Sequence, residues 1–345
     1  MSACMNEYRI TQESLQAFVA ALVADGLTVL AEAADGSGYA RLAADDRVAI
    51  DPRRAPSRLS MKEHFFPKSE VLFEYRREDG GFVLVDRLPE VRPTVILGAR
   101  PCDAASIGIL SKVFNWDYRD EFFNRRVDAT IVIGMLCAYR DEHCFCTSVG
   151  GAPDSIAGSD LFLVPLNDGA LGMRVVSDDG ERFVTAYAHL FEWGAPGDPL
   201  QVDEALTLPS VRFDAEKVRG WIEGHFDDPY WSAASETCLG CARCAFACPV
   251  CHCFDIVDED RTYGSGERMR NWDACQFGMF TKHASGHNPR AARAQRYRQR
   301  ISHKFAYYPS RFGEVLCTGC GRCTRGCPVG IDIGAIAVEI GGMAS

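Results

Sequence analysis

The sequence predicts an α/β amino-terminal domain with a mixed sheet and hairpins, followed by a helical, cysteine-rich carboxy-terminal domain. Two observations support that division. Of the 16 Cys, 11 lie beyond residue 237. Charge splits at a similar place: residues 216–345 hold 16 Lys and Arg against 14 Asp and Glu, net +2, so in a chain of net −10 the remainder carries −12. The boundary is placed near residue 215, between the Leu-Pro-Ser turn at 208–210 and a helix pattern around Val218 to Ile222, which gives domains 1–215 and 216–345.

A chain of 345 residues, 47% hydrophobic and 24% charged, can bury enough apolar surface to fold without disulfides. Met1 to Thr11 shows no basic segment leading into an apolar stretch, and no run approaches the roughly 18 apolar residues of a membrane span. A cytoplasmic location is expected. In that reducing setting 16 thiols must be inert, catalytic or metal-bound, and spacing decides which.

In the amino-terminal part Thr11 is suited to cap a helix with Leu15, Phe18, Val19, Leu22 and Val23 on one face, ended by Gly26. Thr94 to Gly98 and Thr130 to Leu136 read as buried strands. Helix patterns from Asp103 to Phe114 and from about Arg119 to Arg126 lie between them, so the two strands are expected to pair in parallel. Leu161 to Pro165 and Leu171 to Val176 flank Asn167-Asp168-Gly169, and Asp178-Asp179-Gly180 precedes Arg182 to Thr185. These Asp-Gly steps predict a meander of hairpins.

The parallel pair brings chemistry to one sheet edge. Cys102 follows the first strand and Cys137 ends the second, so both face the crevice where open α/β sheets bind ligands; Cys144 and Cys146 follow in the next loop. Together they are a candidate ligand set for a further cluster, against the alternative that they pack as small hydrophobes.

The strongest pattern comes later. Cys238, Cys241, Cys244 and Cys248-Pro249 read C-x2-C-x2-C-x3-C-P, and Cys317, Cys320, Cys323 and Cys327-Pro328 repeat it without a change of spacing. Three thiolates in one tight loop grip three irons of a [4Fe-4S] cube, and in two-cluster ferredoxins the fourth Cys serves the other cube. The assignment is Cys238, Cys241, Cys244 and Cys327 to cluster 1, and Cys317, Cys320, Cys323 and Cys248 to cluster 2. Structural zinc fits worse, because it favours two Cys pairs with no fourth Cys-Pro. An insertion this long between the motifs needs elements of its own. Asn288-Pro289 reads as the start of a helix to about Phe305, with Arg293, Arg296, Arg300 and Lys304 sharing a face. An α-helical ferredoxin-like dicluster domain is therefore expected. The basic face either offsets cluster charge or docks an acidic partner, or else is merely solvated. Net charge of −10 and the absence of interleaved aromatics argue against nucleic acid.

Cys251, Cys253 and Cys275 remain as an incomplete set for another cluster, with the missing ligand from the amino-terminal domain or from His252, His283, His287 or His303; the alternative is buried thiols. Cys4 reads as incidental. No phosphate-binding or dinucleotide glycine motif is present, and Gly150-Gly151 reads as a turn. The chain thus has candidate clusters and no motif for handling a two-electron substrate, which points to passing electrons between other subunits.

Several segments then coincide in one chain: Arg-Pro-Cys-Asp at 100–103, Cys-Phe-Cys at 144–146, the paired motifs, Cys-Pro-Val-Cys-His-Cys-Phe at 248–254, Trp-Asp-Ala-Cys-Gln-Phe at 272–277, Gly-His-Asn-Pro-Arg at 286–290, and His-Phe-Phe-Pro-Lys-Ser-Glu-Val-Leu-Phe at 64–73. Together they resemble the β (iron-sulfur) subunit of cytosolic sulfhydrogenase-type [NiFe] hydrogenases, within a broader family that includes an iron-sulfur subunit of anaerobic sulfite reductase. The resemblance implies a hetero-oligomer in which a carrier of two [4Fe-4S] clusters passes single electrons between two partners, and the remaining cysteine sets leave room for one or two further iron-sulfur clusters. One partner is a flavoprotein diaphorase subunit, which works on NAD(P)H, and the other is a catalytic subunit. The 272–277 and 286–290 segments favour the hydrogenase branch over sulfite reductase. The chain is not expected to be catalytic alone. Arg243, Arg322 and Arg325, inside the loops, are expected to raise cluster potentials by favouring the reduced state. Two other readings are a reductase with its own cluster site in the amino-terminal crevice, and an assembly scaffold.

Overall fold

The computed structural model describes residues 7–193 and 209–344, and Cys4 lies outside them. The strands are β1 (Glu7–Ile10), β2 (Thr28–Glu32), β3 (Tyr39–Arg41), β4 (Ser69–Glu78), β5 (Gly81–Asp86), β6 (Thr94–Ala99), β7 (Thr130–Met135), β8 (Leu161–Pro165), β9 (Leu171–Val175), β10 (Glu192–Trp193), β11 (Phe254–Thr262) and β12 (Ser265–Trp272). They form an eight-stranded sheet, β10-β1-β9-β8-β7-β6-β2-β3, and a four-stranded sheet, β11-β12-β4-β5.

In the larger sheet β2, β6, β7 and β8 are parallel, with Thr28, Thr94 and Thr130 in register, and the remaining pairs are antiparallel. The expected parallel pair is thus its centre, connected by helices Pro101–Phe114 and Glu121–Asp128. Side chains alternate across the strands, so Val95 and Leu97 enter one core with Phe18, Val19 and Leu22, while Ile96 enters the other with Phe65, Leu110 and Phe123. Helix Gln12–Ala24 is capped by Thr11, whose hydroxyl accepts from the Ser14 N–H at 3.1 Å, and Gly26 follows it at φ +84°.

Two local expectations are corrected. The segment after β9 is a helix, Asp178–Tyr187, and not a hairpin strand. Ser177 caps it by accepting from the Gly180 N–H at 3.0 Å, three acidic residues lie in its first turn, and Gly180 sits where a Cβ would overlap the Asp160 carbonyl. The helix predicted from Asn288-Pro289 begins at Arg293. Asn288 instead bonds within its own loop, to the Gly278 carbonyl and the Arg290 N–H, while the Gln295 side chain reaches back to the Ala292 N–H. Beside its helices the insertion between the motifs also holds the β11–β12 hairpin.

That hairpin pairs with β4, so one sheet takes strands from both sides of residue 215. Buried Arg270 fixes the junction through Glu70 at 2.5 and 2.8 Å and through Asp120. Elsewhere helices Ala215–Gly224, Arg293–Ser302 and Ile333–Met343 enclose Val218, Trp221, Ile301, Phe305 and Ile340. The long helix passes through a π turn, His303–Tyr307, into Tyr308–Phe312. Among the described residues no helix is long and apolar enough to cross a membrane.

Candidate metal centres

The repeated spacing gives repeated backbone. Gly240 and Ala242 have φ of +67° and +60°, and Gly319 and Gly321 have +65° and +70° at the matching positions. Alternating left-handed residues turn successive N–H groups toward the inside of each loop, which makes a nest for an anion. The Gly240 N–H donates to Cys238 Sγ and the Gly319 N–H to Cys317 Sγ, both at 3.4 Å, and the Ile331 N–H donates to Cys327 Sγ at the same distance. Ala242 is the one non-glycine residue at positive φ among the described residues. Strain of this kind collects at functional sites.

Three of the predicted cysteine sets each line a cavity, whereas Cys317, Cys320 and Cys323 of the second loop line three different ones. Cys238, Cys241, Cys244 and Cys327 line one, with Cys323 of the second loop at its wall. Cys102, Cys137, Cys144 and Cys146 line another, as the sheet-edge argument expects, and Cys320 closes it. Cys251, Cys253 and Cys275 line a third, together with His252, Arg300, His303 and Lys304. Cys248 lies between this set and the second loop: its thiol hydrogen-bonds with Cys251 and accepts from Lys304 Nζ at 3.4 Å, while the same ammonium donates to the carbonyl of Leu316, beside Cys317. His283 and His287 face each other on an exposed loop and do not join the site. His252 does: its ring Nδ1 is 3.0 Å from the Val250 carbonyl oxygen, which fixes the proton there and leaves Nε2 as the lone-pair nitrogen. Among the described residues no three donors close on a single ion. A cube needs them more widely spaced, since each thiolate binds a different iron.

The loops are held from outside. The Phe145 N–H donates to the Gly319 carbonyl at 2.9 Å, and a Cβ on Gly319 would overlap the Cys146 backbone nitrogen. Arg322 donates to both Asp103 oxygens at 2.7 Å and to the Ser57 carbonyl. Arg325 engages both Asp141 oxygens, at 2.6 and 3.0 Å, and Cys144 Sγ at 3.3 Å. Arg100 reaches Cys137 Sγ and Glu32, both at 3.5 Å. The predicted basic face of the long helix splits: Arg293 and Arg296 bond to the carbonyls of Cys238 and Gln276, and Arg300 and Lys304 are buried against Cys251 and Cys248. Two of the four therefore offset sulfur charge in place of facing solvent.

Burial pushes the Cys144 thiol up to about 12 and the Cys146 and Cys317 thiols up to about 11, so these side chains are neutral until a metal displaces the proton. Cys251 is lowered by its hydrogen bond with Cys248 and by Lys304, Arg300 and Lys62, against the opposing effect of burial. The donor types, the inward N–H groups and the surrounding cations fit iron-sulfur clusters.

Sequence reasoning missed Lys62 and Arg100 as cations beside the cysteines, and Asp103 and Asp141 as the carboxylates that hold the loop arginines Arg322 and Arg325. Lys62 is buried, with Nζ 2.9 Å from the Cys251 carbonyl oxygen and 4.0 Å from the centre of the Trp272 ring, and no local pattern marks it. Arg100 and Asp103 are visible in the Arg-Pro-Cys-Asp segment, on either side of Cys102 and its preceding proline.

The 4Fe-4S dicluster domain family matches residues 237–331. Over 291 residues the chain is 30% identical to sulfhydrogenase 2 subunit beta of Pyrococcus furiosus, an alignment covering 83% of this chain and 84% of that protein.

Proposed function

The chain belongs to the sulfhydrogenase β-subunit family and is an iron-sulfur electron-transfer subunit, and from that premise we propose that it relays single electrons within a hetero-oligomer. Its partners on this reading are a flavoprotein subunit that exchanges hydride with NAD(P)H and a catalytic subunit of the [NiFe] hydrogenase type. The observation that carries the proposal is the continuity of the cysteine sets: Cys320 lines the cavity of the amino-terminal set, Cys323 lines that of the first loop, and Arg300 touches both Cys251 Sγ and the Cys244 carbonyl.

Cys238, Cys241, Cys244 and Cys327 hold one cluster, and Cys317, Cys320, Cys323 and Cys248 a second. Cys251, Cys253 and Cys275 hold a third, with His252 Nε2 as fourth donor, and Cys102, Cys137, Cys144 and Cys146 a fourth. When bound, such clusters supply one-electron storage and release. The protein supports this with N–H donors to sulfur in each loop and with apolar walls that exclude water, among them Phe145, Val250 and Leu316. Cys241 is exposed, with Leu239 and Val329 exposed beside it, so the first loop is the surface a partner's redox centre can approach.

The reading predicts that the anaerobic chain alone is reduced by dithionite and not by NADH or NADPH, and that adding the flavoprotein subunit confers reduction by nucleotide. Reduction of the isolated chain by either nucleotide would overturn it.

A further inference from the structure

Lys62, Arg300 and Lys304 are 3%, 4% and 2% exposed and converge on the set between the motifs. Lys62 donates to the carbonyls of Ala245 and Cys251, Arg300 to Cys251 Sγ and the Cys244 carbonyl, and Lys304 to Cys248 Sγ and the Leu316 carbonyl. Among the described residues none of the three has a carboxylate within ion-pair distance. The arginines around the amino-terminal set are different, since Arg322, Arg325 and Arg100 each have one, in Asp103, Asp141 and Glu32.

Buried cations without a counter-ion are strongly unfavourable. Three in one place require an anion facing them, and the anion at hand is the thiolate set with the group it binds. A cluster gains one negative charge on reduction, so uncompensated cations stabilise its reduced form more than its oxidised form, whereas cations already neutralised by carboxylates do so far less.

We propose that Lys62, Arg300 and Lys304 make the centre held by Cys251, Cys253 and Cys275 the most easily reduced in the chain, so that electrons entering at either end collect there. Arg300 bridges from this centre to the first loop, and Lys304 bridges to the second. The inference rests on the reading that these three cysteines hold a cluster.

The test is a dithionite titration of anaerobic holoprotein followed by EPR, with iron counted in every sample. The first signal to appear as the potential falls is expected to be the one that Cys253→Ala removes or converts. Arg300→Gln is expected to weaken its reduction at least tenfold, about 59 mV for one electron, with Arg300→Lys close to wild type and Lys62→Met shifting it in the same direction as Arg300→Gln. The inference is overturned if the first-reduced signal survives Cys253→Ala, or if both charge-removing variants keep their iron and the midpoint stays put. Should Arg300→Gln fail to fold, the wild-type order and Lys62→Met still decide. If Cys253→Ala changes neither iron content nor any signal, the cluster reading itself fails. A cluster that is present but reduced late sinks only the claim about the cations.

Discussion

The amino-terminal cysteine set and the set between the motifs share a donor type and differ in how their positive neighbours are balanced. Around Cys102, Cys137, Cys144 and Cys146 the buried Arg100 and Arg322 and the half-buried Arg325 are each tied to a carboxylate. Around Cys251, Cys253 and Cys275 the cations meet carbonyls, sulfur and, for Lys62, the face of the Trp272 ring, with no carboxylate within ion-pair distance among the described residues. The first arrangement fixes geometry, and the second leaves positive charge that no neighbouring carboxylate balances.

The largest expected effect comes from breaking the balance in the first region. Asp103→Asn leaves Arg322 buried opposite a neutral amide, and denaturant unfolding of anaerobic holoprotein should show a loss of about 3–5 kcal/mol. A loss well under that would mean that Arg322 is compensated elsewhere.

The short helix Lys62–Phe65 brings Lys62 to the second region, and His64 on the same helix tests pH dependence. Burial, with Arg126 nearby, lowers His64 to about 4. Thr130 donates to the Arg126 carbonyl, so its hydroxyl oxygen accepts from a neutral His64 Nε2–H at 2.9 Å. The unfolded chain takes up that proton near pH 6.5 and the folded chain near pH 4. Stability is therefore unaffected above about pH 6.5 and falls by on the order of 3 kcal/mol as pH drops to about 4. His64→Gln should flatten this part of the stability-pH curve relative to the parent protein.

The two loops offer a finer comparison. Gly319→Ala sets a methyl against the backbone of the amino-terminal loop at a left-handed position and should cost about 2–4 kcal/mol. Gly240→Ala has the same backbone demand, but its nearest neighbour is the Gln276 carbonyl oxygen at an ordinary 3.5 Å, so about 1–2 kcal/mol is expected. Equal losses in unfolding free energy would show that the contact with Cys146 carries no weight. The smallest effect is a gain: Ala242→Gly relieves a left-handed alanine and should stabilise by up to about 1 kcal/mol in the same assay.

Much of this was legible in the sequence because cluster loops and sheet edges obey spacing. The x2-x2-x3 pattern dictates the loop backbone, and a strand, helix and strand in succession dictate a parallel pair, which brings Cys102 and Cys137 to one edge. What stayed hidden depended on contacts distant in sequence. Lys62 meets Cys251 across 189 residues and Asp103 meets Arg322 across 219. No local periodicity encodes either. The Asp-Gly step at 179–180 misled for a physical reason, since in Ser177-Asp178-Asp179-Gly180 the serine cap outweighs the turn propensity.

The most direct test of the account is iron and acid-labile sulfide per chain in anaerobically prepared protein. If all 15 cysteines of the described residues serve four centres, about 16 of each are expected, and about 8 would contradict it by leaving only the paired motifs loaded.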